Sequence, residues 1–127
     1  MKMPKRTREI ELDGDYEGFK AEVDLGMPMF VYSYINTGQW HLIQHALQRI
    51  IVKWNFVDTE GNPLPQPNEM VPVLDADGNP LTILAQDENG EQVQKPMKLP
   101  GITFIPVELG MIIVRKVTEQ VMSVPNR

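Results

Sequence analysis

The chain has 127 residues, 42% hydrophobic and 23% charged, which suits one folded domain with a real core and argues against wholesale disorder. A net charge of −5 disfavours phosphate backbones as partners, and the absence of cysteine excludes disulfide frameworks and thiolate metal sites. No apolar run approaches the roughly 20 residues of a membrane helix.

The N-terminus carries Lys2, Lys5, Arg6 and Arg8 with no apolar stretch behind them, so it does not read as a signal peptide. Residues 1–7 are expected to be a frayed basic tail, and the protein a soluble intracellular one. A short strand is predicted over residues 7–12, with Ile10 and Leu12 on one face. Asp13-Gly14 makes a turn. Phe19, Ala21, Val23 and Leu25 then alternate with Lys20, Glu22 and Asp24, a period of two that predicts a half-buried strand. The two strands form an antiparallel hairpin connected through residues 13–18.

Gly26 ends the second strand. Pro28 fits the first turn of a short helix, on which Met27, Phe30, Val31, Tyr34 and Ile35 share a face; the aromatic and β-branched run "MFVYSYI" argues for a strand instead, and the helical spacing is preferred. Asn36 then caps a second helix, with Gln39 three residues later as in a capping box. Trp40, Ile43, Leu47, Ile50, Ile51 and Trp54 recur at three and four. This spacing predicts an amphipathic helix of about four turns with both tryptophans on its buried stripe.

The turn "DTEGN" follows, and Pro63, Pro65 and Pro67 hold the next stretch near polyproline geometry. Eleven prolines are many for this length. They gather between Pro63 and Pro106 and predict a long, largely irregular middle with hairpin turns at Asp77-Gly78 and Asn89-Gly90. A last helix is predicted from about Val107 to Met122, with Leu109, Ile113, Val117 and Val121 at spacings of four and Pro125 stopping it. The fold class is therefore α+β: one domain over residues 1–127, with an N-terminal β-hairpin packed against two or three helices and a long loop or hairpin segment before the C-terminal helix.

No catalytic, cofactor or metal site is predicted. His41 and His45 stand four apart on a helix, but Leu42 occupies the place of a zinc protease's glutamate, and there is no third histidine. The acidic turns "DTEGNPL", "DADGNPL" and "DENGE" suggest calcium loops. Counted from Asp75, however, the sixth residue is Pro80 where glycine is required, and the twelfth is Gln86 where glutamate is required. They read as turns in which the aspartate side chain bonds its own backbone. Ser33 and Ser123 lie in no nucleophile motif, and no phosphate-binding glycine loop is present.

The order of these elements resembles a known family. A hairpin around "LDGDYEGFKAEVDL" leads to a proline-headed segment closing at "NTG". An amphipathic helix then runs into "IIVKWNFVDTEGNPLPQP", and "LPGITFIPVELGMIIVRKVTEQV" comes later. This is similar to the tail assembly chaperones of long-tailed bacteriophages and prophages. The signature lies in residues 52–67, with support over 8–54 and 99–122, and residues 68–98 look like an insertion relative to the family. The resemblance implies a non-enzymatic protein of the host cytoplasm, absent from the mature virion. It implies binding of the tape-measure protein, recruitment of the tail tube protein, and compatibility with self-association. Two other readings fit the same residues: a small structural virion protein of the tail or head, and a protein-binding module unrelated to phage.

Overall fold

Thr7–Glu11 (β1) and Lys20–Asp24 (β2) pair antiparallel, with Ile10 opposite Ala21, and Ile51–Trp54 (β3) pairs antiparallel with the other side of β2. These elements belong to a computed structural model that describes residues 2 and 6–123. Alternation sends Ile10, Ala21 and Val23 into the core and leaves a wet outer face. On that face Lys20 pairs with Glu9 and Glu11, and Lys53 with Glu22. Such exposed pairs contribute at most about 1 kcal/mol each. Residues 1 and 3–5 of the expected basic tail lie outside the described residues. Residues 6–7 are not frayed: Arg6 accepts the Leu25 N–H at 2.8 Å and Thr7 opens β1.

Met29–Ile35 (α1) and Trp40–Ile50 (α2) form a helix pair, with Val31 and Ile35 facing Ile43, Ala46, Leu47 and Ile50 in one core. Pro28 is one residue outside the helix, extended at ψ 155°, and its carbonyl accepts the N–H groups of Val31 and Tyr32. Asn36 closes α1 rather than opening α2: its backbone N–H returns to Ser33 and Tyr34, and its side-chain amide to Tyr32. No capping box forms. Gln39 precedes α2 without a side-chain cap bond, and its N–H goes to the Thr37 hydroxyl.

The expected four-turn helix is shorter. It ends at Ile50, and the chain continues without a loop into β3. The register between β2 and β3 shifts between Glu22 and Val23, which leaves Val52 as an extra, exposed residue. That bulge places Ile51 and Trp54 on the same buried side. Three-residue spacing, the signature of a helix, here comes from a bulged strand.

Phe56 is among the largest fully buried side chains, stacked between Trp54 at 4.5 Å and Phe19 at 5.1 Å. The proline segment is pinned to this stack. The Gln66 side-chain amide accepts the Trp54 N–H and donates to the Trp54 carbonyl, the Trp54 indole donates to the Pro65 carbonyl, and Pro67 is fully buried. It is an internal strap. Val107–Ser123 (α3) completes the core through Leu109, Ile113 and Val117 at the expected spacing of four. Pro125 lies outside the described residues. Among the described residues no helix is long and apolar enough to cross a membrane.

The middle segment is not irregular. Met70–Pro72 (β4) pairs with Lys98–Pro100 (β7), and Thr82–Gln86 (β5) with Gln92–Pro96 (β6). A third short hairpin is closed by the Leu74–Pro80 bridge. The three stems meet in a ring of backbone hydrogen bonds, in which the Val73 N–H donates to Met97, Met97 to Leu81, and Leu81 to Val73, all within 2.9 Å. Every group at the junction is satisfied locally, so the arm holds its shape without a core of its own. No described residue of this arm joins the main hydrophobic cluster. Replacing residues 74–96 with a two-residue Asn-Gly turn, which the bonded Val73 and Met97 can accept, is expected to leave cooperative unfolding intact and to move the melting temperature by only a few degrees. Loss of a cooperative transition in a thermal melt would show that the arm supports the core.

Candidate functional site

Each acidic turn of the sequence is built the same way. In residues 58–62, 75–79 and 87–91 the first aspartate's Oδ1 accepts two backbone N–H groups, at 2.9 Å in every case. Gly61, Gly78 and Gly90 take φ between 78° and 84°, a conformation that glycine adopts without steric cost. The Asn62 N–H holds the Asp58 carboxyl below its usual range; desolvation opposes it, and the Glu60 N–H, the Asn62 side chain and the Gly61 N–H add to the lowering. These carboxylates serve the turns.

His41 and His45 are both exposed on α2, and His45 stands 6.0 Å from the Tyr34 ring. The Ser33 hydroxyl donates to the Phe30 carbonyl within α1. Among the described residues no group of three or more His, Cys, Asp or Glu stands where it could hold one metal ion. At the hairpin end, Tyr16 titrates above its ordinary value because of burial, with Glu108 and Asp15 adding to the effect. It borders an open cleft with Phe104 and Leu109.

The surface feature with the clearest capacity to bind is apolar. Trp40, expected in the core, is 40% exposed at the first residue of α2. Its ring rests over Gly110 of α3, where an added Cβ would meet the ring carbon at 3.8 Å. A cleft of ≈ 340 Å³ opens on one side of the indole, lined by Met111 and Val114, and one of ≈ 280 Å³ on the other, lined by Val107 and Ile105. Val107 and Met111 stand four apart on α3, so they share one face, and both are more than half exposed. Trp40, Val107 and Met111 thus form a contiguous apolar face between two helices. An aromatic anchor beside an adaptable thioether suits contact with another apolar chain.

Sequence reasoning assigned Trp40 to the core and did not single out Val107 or Met111. The available signal was Gly110, a helix-interior glycine packed beside the indole, where even an added Cβ would be in ordinary van der Waals contact with the ring.

A second apolar surface lies on the arm, where Leu74, Leu81, Ile83 and Leu84 are exposed. A third is smaller: Met29 and Phe30 on α1, with the Arg49 guanidinium 5.2 Å above the Phe30 ring.

The chain matches no family model, no curated protein and no solved structure.

Proposed function

We propose that this protein is a non-enzymatic tail assembly chaperone of a long-tailed bacteriophage or prophage. In this reading it acts in the host cytoplasm, covers apolar stretches of the tape-measure protein before the tube closes around it, and assists recruitment of the tail tube protein. The resemblance over residues 8–67 and 99–122 supplies the partner. The observation that carries the physical side is the exposed face of Trp40, Val107 and Met111. An amphipathic helix could lay its apolar stripe into a groove of this kind, with the anchors one turn apart. The chemistry is contact alone, so no reacting group is required.

Co-expression with the tape-measure protein of the same phage or prophage tests the reading. Tape-measure protein made alone should aggregate, and the pair should purify as a soluble complex. Failure to form a complex would overturn the proposal. Stoichiometric recovery of this protein from finished particles would instead favour a structural virion component.

A further inference from the structure

Free strand edges invite other strands, and this chain guards its edges in several ways. On β1 the outward-facing backbone groups belong to Thr7, Glu9 and Glu11, because the Leu12–Phe19 and Leu25–Arg6 bonds fix the phase of the ladder. Two of these residues carry charge, and the Arg8 guanidinium takes the Thr7 carbonyl. On β3 the Gln66 amide occupies the outward groups of Trp54. The free edges of β4, β6 and β7 each carry a proline, at Pro72, Pro96 and Pro100.

The outer edge of β5 has none of these guards. The Asp87–Glu91 and Met97–Leu81 bonds at its two ends turn Ile83 and Ala85 toward β6. The N–H and C=O groups of Thr82, Leu84 and Gln86 therefore point outward, and among the described residues nothing bonds them. Residues 81–86 contain no ionisable side chain. Leu84 is 66% exposed and Ile83 is about half exposed.

We infer that this edge is a docking site for a second copy of the chain, joined antiparallel through β5 about a two-fold axis at Leu84. The order Thr-Ile-Leu-Ala-Gln is the reason to choose a second copy: read from either end it runs polar, apolar, leucine, apolar, polar. In antiparallel register Leu84 meets Leu84, Thr82 meets Gln86, and Ile83 meets the small Ala85. About six backbone hydrogen bonds close, and two β5–β6 hairpins become one four-stranded sheet. Charge favours the same site. For a chain of net charge −5, most self-contacts bring carboxylates together. Here the nearest one, Asp87, falls opposite Leu81 of the second copy. The inference does not depend on the chaperone reading.

The test is sedimentation equilibrium of the full chain from micromolar to sub-millimolar concentration. The wild type should reach the mass of a dimer. Leu84→Pro removes only an outward N–H, so β6 pairing survives, yet both central bonds of the dimer are lost. Its dissociation constant should rise at least about tenfold. Gln94→Pro makes the same change on the β6 edge and should leave association at wild-type strength. A charge swap covers the case in which proline distorts the arm. Leu84→Lys and Leu84→Glu should each be monomeric alone, and their mixture should recover the dimer. A wild type that stays monomeric throughout, or a mixture that does not associate, would overturn the inference. A wild-type monomer would also leave the edge to a strand from a different protein.

Discussion

Trp54→Ala is expected to lower stability by about 3–5 kcal/mol, whereas Trp40→Ala should cost only roughly 1–2 kcal/mol. The two residues are chemically identical, so the difference comes from place. Trp54 is buried, stacked on Phe56 at 4.5 Å, and its indole N–H satisfies the Pro65 carbonyl. Truncation leaves a cavity against Phe56 and strips a partly buried carbonyl of its donor, and the two losses add. Trp40 lies partly on the surface, and among the described residues its indole N–H bonds no backbone group. Urea unfolding of both variants checks this ordering. Equal losses would mean that the two tryptophans share one environment, as a single helical stripe would give them.

Gly101→Ala should be nearly as damaging, at about 3 kcal/mol, the upper end of the usual cost of overpacking. A Cβ at Gly101 would run into the carbonyl oxygen of Gln66, with the Pro65 carbonyl oxygen only 2.9 Å away. These are backbone atoms, which cannot rotate aside as a side-chain end can. Moving them pulls Gln66 off Trp54 and strains the bond from the Gly101 N–H to Glu69. Gly61→Ala is the contrasting case. It faces open space at φ 84°, so only the left-handed backbone opposes it, at roughly 1–2 kcal/mol. Chemical denaturation of both should place Gly101→Ala clearly lower. A harmless Gly101→Ala would show that the strap is not seated as described.

The α+β class, the first hairpin, the short α1 and the last helix were legible because their patterns are local. Alternation in residues 19–25 reports directly on the two faces of β2, and the four-residue spacing of Leu109, Ile113 and Val117 reports on one face of α3. The end of α2 was not legible. A bulge at Val52 turns a strand's period of two into a spacing of three, so Ile51 and Trp54 extend the helical stripe on paper. Ile50-Ile51-Val52 is β-branched throughout, and pairing with β2 decides in favour of the strand.

The arm was hidden only in part. The turns at Asp77-Gly78 and Asn89-Gly90 were readable, and each closes a local hairpin as expected. The β4–β7 stem and the junction depend on pairings between distant residues, such as Val73 with Met97, that leave no periodic trace. The candidate face was hidden in the same way, since Trp40 meets Gly110 only in the folded chain.

In the proposed function the face of Trp40, Val107 and Met111 holds the tape-measure chain. This is tested most directly by the soluble yield of tape-measure protein co-expressed with Met111→Glu, against Val52→Glu as a control. Both positions are more than half exposed, so neither change should unfold the domain, but Val52 lies on β3 and lines neither cleft beside Trp40. Met111→Glu is expected to lower the yield at least about tenfold, because a carboxylate would be buried in an apolar contact, and Val52→Glu to leave it unchanged. Wild-type yield with Met111→Glu would contradict it.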